Sequence, residues 1–193
     1  MKICVYGASS TELDKSYLDD GALLGKLMSN RGHSLVFGGG ANGLMGAVAV
    51  GVHNGGGHIT GVAPSFFDVD GILYEHCDEF VKTETMRERK KIMEDLSDAF
   101  VVTPGGVGTY EEYFEILTAK QLGLHNKPIA ILNTNGYYNA MQDMLEIGKR
   151  DKFLKSATLE LYKICNTPEE VLDYIENYNA MKKDITDYKA NEK

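Results

Sequence analysis

The densest chemistry in this 193-residue chain lies in the run Pro104-Gly105-Gly106-Val107-Gly108-Thr109-Tyr110-Glu111-Glu112. Three glycines in four positions let successive backbone N–H groups face one point, and such a nest suits a phosphate. Thr109 is expected to add a hydroxyl at the cap of the helix that follows. Acids in a first helical turn favour the dipole, which explains one glutamate more easily than two beside an anion site. Helix phase puts Tyr110, Tyr113, Phe114, Leu117 and Gln121 on one sheet-facing stripe and Glu112 elsewhere, above Ile116, Ala119 and Gly123. That second stripe is small and apolar. It predicts a helix covered twice, by its own sheet and by another helix or a second subunit, with Glu112 part-buried between. Such a carboxylate is either a tuned catalytic group or a surface acid above a shallow patch, and phase alone leaves both open.

A second charged group stands on an apolar face. In the segment 85–96, Met86, Ile92, Met93 and Leu96 form the apolar arc of a helix, with Arg89 inside it and Lys90 at its margin. Arg87, Glu88, Lys91, Glu94 and Asp95 take the solvent side. An arginine aimed at a core needs a carboxylate or a phosphate, unless it snorkels outward. Glu112 is the first partner to expect.

Gly38-Gly39-Gly40-Ala41-Asn42-Gly43 matches GxGxxG between a strand and a helix. Gly39 and Gly40 are expected to let the backbone approach an anion at the N-terminus of the next helix. The motif follows the second strand instead of the first, however, and the third strand ends at Ala63-Pro64 without an acid for a ribose. No dinucleotide site is expected, and no other cofactor is called for.

The elements that must position these groups are legible as alternation. Apolar runs at 3–6, 34–37, 59–63, 99–103 and 128–132 end in Gly, Ser, Pro or Asn and are followed by helical patterns near 16–31, 43–54, 84–97, 108–123, 137–149 and 168–178. Residues 161–165 could add an edge strand and 80–82 another, in an otherwise irregular stretch at 68–83. Nearly all-apolar strands alternating with helices indicate a parallel sheet buried on both faces. The expected fold is α/β, a Rossmann-like doubly wound, mainly parallel sheet in a single domain at 1–178, with a polar C-terminal tail at 179–193. In such sheets ligands bind at the carboxyl ends of the strands, and that is where the glycine runs fall.

Composition narrows the function further. A net charge of −8 argues against nucleic acid as a partner. Cys4, Cys77 and Cys165 are far apart and form no CxxC, which fits a reducing, cytoplasmic setting. No apolar stretch approaches the roughly 18 residues of a membrane span. His33, His53, His58, His76 and His125 lack ligand spacing, so no metal is expected.

These motifs, together with Leu44-Met45-Gly46, Gln121-Leu122-Gly123-Leu124-His125-Asn126-Lys127-Pro128 and Asn135-Gly136-Tyr137-Tyr138, resemble those of the Lonely Guy family over residues 2 to 175. The resemblance implies a homodimeric cytokinin riboside 5′-monophosphate phosphoribohydrolase. Its substrate would be an N6-modified AMP or AMP itself, cleaved to free base and ribose 5-phosphate. It also implies that Arg89 and Glu112 are the catalytic pair. Lys90, Gly105, Gly106, Gly108, Thr109, Glu111 and Thr118 match nucleotide-contacting positions. The chain departs from the family pattern at Arg87, where a histidine is usual, at Ala119 for a tryptophan, and at Gly71 for a glutamate. The rival from another class is a non-catalytic carrier of a phosphorylated ligand. A pyridoxal-dependent amino-acid decarboxylase is a poorer third, because no lysine is singled out for a Schiff base.

Overall fold

Seven short strands, nearly all apolar, line up in one parallel sheet. The computed structural model describes residues 1–67 and 71–180. In chain order the elements are β1 (Lys2–Tyr6), α1 (Lys15–Asn30), β2 (Ser34–Phe37), α2 (Gly43–Asn54), β3 (Ile59–Pro64), β4 (Glu79–Thr83), α3 (Met86–Leu96), β5 (Ala99–Val102), α4 (Val107–Gln121), β6 (Ile129–Leu132), α5 (Asn139–Arg150), β7 (Lys163–Cys165) and α6 (Pro168–Glu176). The sheet order is β4-β3-β2-β1-β5-β6-β7. Both optional strands are present, at 79–83 and 163–165, and a single 3-10 turn, Ser65–Phe67, is described ahead of β4. Most of the predicted tail, 181–193, lies outside the described residues.

Alternation along β1 shows why both faces are buried. Ile3 and Val5 enter the core with Leu24 and Met28 of α1 and Val48 and Val52 of α2. Cys4 and Tyr6 enter the opposite core with Met93 of α3, Tyr113 and Leu117 of α4 and Leu145 of α5. The helices start where capping chemistry puts them. Asp14 accepts from the Ser16 N–H, Thr85 and Glu88 form a capping box, and Thr167 accepts from the Glu170 N–H ahead of Pro168. Helices α1 and α2 sit unusually close because Gly25 has no side chain: a Cβ there would lie 2.1 Å from the Val48 carbonyl oxygen.

The chain moves outward from β1 through β2 and β3 to β4, then returns to pair β5 with the other edge of β1. The loops after β1 and β5 therefore diverge, and this is the topological switch point of the sheet. Its base is stitched shut. Thr103 N donates to Tyr6 O at 2.8 Å, and Ala8 N donates to Pro104 O at 3.1 Å. The glycine run opens directly above these bonds.

Beyond α4 the chain is pinned by His125. Lys127 N donates to His125 Nδ1 at 3.2 Å, so the ring proton sits on Nε2, which donates to Ile116 O at 2.9 Å. Acceptance at Nδ1 requires the neutral ring, and burial lowers the His125 pKa from 6.5 to about 4. The unfolded chain binds this proton more tightly, so the stability contributed by the neutral ring is lost as pH falls from 6.5 toward 4. Chemical denaturation at pH 7 and pH 4.5 should show His125→Gln losing about 2 kcal/mol less than the parent between the two pH values.

Candidate functional site

The site is assembled by helices α3 and α4, strand β3 and the loop after β5. Arg89 is the fourth residue of α3 and points inward, only 5% exposed. Its Nε donates to the Val62 carbonyl of β3 at 3.1 Å. Its Nη1 donates to Glu112 Oε1 of α4 at 2.8 Å. The pair expected from the two helical wheels is thus formed within one chain, and α3 is the second element that covers α4. No second subunit is needed to bury Glu112, whose side chain is 11% exposed here. Burial raises the Glu112 carboxyl above its ordinary range, against the Arg89 guanidinium, which works to lower it.

Two expectations about α4 are corrected by its starting point. The N-cap is Gly106, with no side-chain cap, and Thr109 is the third helical residue. Its hydroxyl lies back against Gly105, where a Cβ would stand 2.2 Å from Thr109 Oγ1. Glu111 and Glu112 are the fifth and sixth residues of the helix, so neither is a first-turn acid and a capping role falls away. The first turn instead carries bare N–H groups. Gly106, Val107 and Gly108 are exposed, and beside Gly106 and Gly108 nothing lies within 4 Å of where a side chain would begin. An uncapped, open helix N-terminus is an anion site by its dipole and its unbonded donors.

Lys90 follows Arg89 but turns outward along α4. Its ammonium bonds to Glu111 and lies 2.5 Å from Glu115 Oε2. Partial burial works against that charge, yet the two carboxylates outweigh it and raise the lysine above its ordinary range. Thr118 is exposed and lies twelve residues beyond the N-cap, about 18 Å down the helix axis, so its own chain does not bring it to the loop.

The loop Gly38–Gly40 is used differently from what its motif suggests. The N-terminus of α2 is not free: Leu44 N and Met45 N both donate to Ala8 O, at 2.9 and 3.2 Å. Gly39, at φ +77°, gives its carbonyl to Tyr74 N, while Ala41 N donates to Ile72 O and Gly40 pairs with Leu73 in an isolated bridge. These glycines serve the close packing of two loops and a covering segment, and two first-turn donors of the helix behind them are already bonded to Ala8.

Two tyrosines to which the sequence motif assigns no role hold the phosphate-type loop in place. Tyr138 Oη donates to Thr103 O at 2.8 Å and Tyr137 Oη donates to Gly105 O at 2.6 Å. Tyr110 Oη lies 2.7 Å from Tyr137 Oη. The pair sits after a turn in which Asn135 has φ 56°, and its only sequence signal is two adjacent aromatics behind Asn-Gly. Of the three departures, Arg87 is exposed, Ala119 is buried, and Gly71 has φ +79°, a conformation unsuited to glutamate. Among the described residues, no three of His, Cys, Asp and Glu gather in a way that could hold a metal ion.

The pair has an energetic signature independent of any activity. Replacing Glu112 by Ala leaves a buried guanidinium without its counter-charge, and should cost about 3 kcal/mol in urea unfolding. The joint replacement Arg89→Met with Glu112→Leu removes both charges and should recover most of that loss. Equal destabilisation in the single and double variants would show that the charges are not coupled.

The comparisons with known proteins come to the same place. A family model described as "Possible lysine decarboxylase" matches residues 45–175, more than half of the chain. The probable cytokinin riboside 5′-monophosphate phosphoribohydrolase LOGL6 of Oryza sativa subsp. japonica is 39% identical over 178 residues, spanning 92% of this chain and 71% of that protein. The cytokinin riboside 5′-monophosphate phosphoribohydrolase LOG3 of Arabidopsis thaliana is 37% identical over 177 residues, covering 92% and 82%. In structure, the molybdenum cofactor carrier protein of Chlamydomonas reinhardtii aligns with a TM-score of 0.67 at 22% identity, over 91% of this chain and 95% of that one. The molybdenum cofactor binding protein of Rippkaea orientalis gives 0.65 at 18%, over 91% and 93%. These last two share the fold alone, with a Rossmann-like sheet common to all three. On the family model and the identity to its plant relatives, the chain belongs to the Lonely Guy family.

Proposed function

We propose that this protein hydrolyses the N-glycosidic bond of a nucleoside 5′-monophosphate, either AMP or an N6-modified AMP of the cytokinin riboside type. Water's oxygen bonds to C1′ of the ribose, the bond from C1′ to the base nitrogen breaks, and one of the water's protons ends on the base nitrogen while the other stays on the new C1′ hydroxyl. The products are free base and ribose 5-phosphate. The observation that carries this reading is one helix with two functions: open N–H donors in its first turn and a buried, arginine-paired carboxylate in its second. Glu112 lies six residues past the N-cap, about 9 Å along the axis, so a nucleotide anchored by its phosphate brings its sugar toward the acid.

Cleavage of this bond develops positive charge on the ribose. The Glu112 carboxylate stabilises that charge or orients the attacking water, and Arg89 holds the carboxylate in place. Gly105, Gly106, Gly108 and Thr109 form the phosphate cradle, with Lys90 and Glu111 at its rim. Gly39, Gly40 and Thr118 are left out of this contact set, because the first two are engaged by the segment 72–74 and the third is remote. A pyridoxal-type decarboxylation finds no support in the lysines, since Lys90 is ion-paired and Lys120 is buried with Nζ on the Leu161 carbonyl. The reducing cytoplasm is the setting proposed for this enzyme, and free Cys4, Cys77 and Cys165 suit it.

Incubation with a panel of nucleoside 5′-monophosphates, read by chromatography of the released base, tests the reaction. Glu112→Gln should lower turnover at least about 10³-fold while nucleotide binding by calorimetry stays within a few-fold. Because burial holds the Glu112 carboxyl above its ordinary range, the parent's kcat/KM should rise with pH through an apparent pKa above that of a free glutamate. Nucleotide binding without base release from any substrate of the panel would return the carrier reading.

A homodimer completes the proposal. Tyr110, Phe114, Tyr137, Tyr138, Met141 and Met144 line an apolar cleft of about 400 Å³ that adjoins the glycine loop through the Tyr137 bond. Met144 is 53% exposed there. A second copy seated on this face buries it and closes the open side of the loop. Light scattering should give twice the chain mass for the parent and the single-chain mass for Met144→Asp; an unchanged mass in the variant would place the interface elsewhere.

A further inference from the structure

Several close-packed glycines in this fold protect backbone. A Cβ at Gly46 would lie 2.0 Å from the Ala41 carbonyl oxygen, and at Gly51 2.3 Å from that of Ala22. Substitution at either position must move main chain, so the cost falls on the fold. Gly38, the residue immediately after β2, is different. A Cβ there would stand 1.9 Å from Arg89 Nη2 and 3.0 Å from Arg89 Cζ, and the third-nearest atom is Arg89 Nε at 3.5 Å. All three belong to one guanidinium at the end of a flexible side chain. Gly38 is also absent from the glycines with positive φ, so its backbone conformation is open to alanine.

We propose that Gly38 is a positioning residue for the Arg89–Glu112 pair: its missing side chain is the slot that the guanidinium occupies. The geometry around the slot is closed on the other sides. Phe37 pairs in register with Gly61, which sets Gly38 beside Val62, the residue whose carbonyl accepts from Arg89 Nε. Glu112 holds Nη1 from α4. The guanidinium is therefore fixed by a carbonyl on β3, a carboxylate on α4 and a bare Cα just after β2. Filling the third position leaves the arginine one way out, which is to swing off the other two. The glycine of a motif usually read as a backbone approach to an anion here serves approach by a cation from the same chain.

The consequence is a substitution that the fold tolerates and the pair does not. Gly38→Ala displaces Arg89, and Glu112 stays buried without the charge that opposes its protonation. Its titration midpoint then moves up. Carbon-13 NMR of glutamate-labelled protein reads this directly, with the Glu112 signal identified by its loss in Glu112→Gln. The midpoint in Gly38→Ala should lie at least about one pH unit above the parent's, with a thermal midpoint within a few degrees of it. In an Arg89→Ala background the same methyl meets no guanidinium and should leave the Glu112 midpoint unmoved. A second readout rests on the hydrolase reading: kcat/KM for AMP should fall at least tenfold, chiefly in kcat, and its acid limb should shift upward with the NMR midpoint. An unshifted Glu112 midpoint in Gly38→Ala would overturn this role, as would an equal shift in the Arg89→Ala background or a large thermal loss in both backgrounds. If the parent releases no base from any nucleoside monophosphate, the hydrolase reading fails, while the NMR comparison still decides the role of Gly38.

Discussion

A buried guanidinium facing a buried carboxylate is the constraint around which this molecule is organised. Taking either charge out of water alone costs several kcal/mol, so each fixes the other's position once both are inside. Arg89 comes from α3, which follows the outermost strand, and Glu112 from α4, which follows the strand beside β1. The pair therefore ties the return crossover of the chain to the helix at the switch point. Val62 of β3 and Gly38 just after β2 complete the seat. Strands β2 and β3 and the helices after β4 and β5 thus converge on one ion pair, and the contact of α3 with α4 is inseparable from the state of its charges.

The same pair was the most legible part of the site, and the reason is periodicity. A charged residue on an apolar arc violates helix patterning, and two such violations of opposite sign in neighbouring helices point at each other. Strand and helix identities followed from the same kind of signal, including the short edges at 79–83 and 163–165. What patterning could not supply was the helix start. Taking Thr109 as a cap put Glu111 and Glu112 in a first turn, whereas the uncapped Gly106 makes them second-turn residues. A cap is a three-dimensional fact about one hydrogen bond, and a glycine N-cap has no side chain to announce it.

The Gly38–Gly43 run shows the complementary failure. Its GxGxxG spacing is a statement about close approach, and close approach is what the structure contains, but the approaching groups are not a phosphate. They are the Arg89 guanidinium at Gly38, the Phe80 ring and Leu73 at Gly39, and the main chain of Ala8 to Ser10 at Gly43. Glycine signals that something comes near the backbone without saying what. The identity of the visitor depends on residues 30 to 50 positions away. Tyr137 and Tyr138 were missed for a related reason: their hydroxyls reach carbonyls of the 103–105 loop from the far side of β6, a contact no local pattern encodes.

A sheet shared with molybdenum cofactor carrier and binding proteins at 22% and 18% identity says little about chemistry, because such a sheet offers every member the same switch point and the same helix termini. A helix N-terminus binds an anion and does nothing to it. Reaction requires a group whose charge opposes the one that develops in the substrate, held where water cannot neutralise it. In this chain α4 carries open N–H groups in its first turn and the arginine-paired carboxylate in its second, so their separation is set by helix rise and not by loop conformation. The helix fixes that spacing, and the Arg89 guanidinium works against the protonation that burial of Glu112 favours.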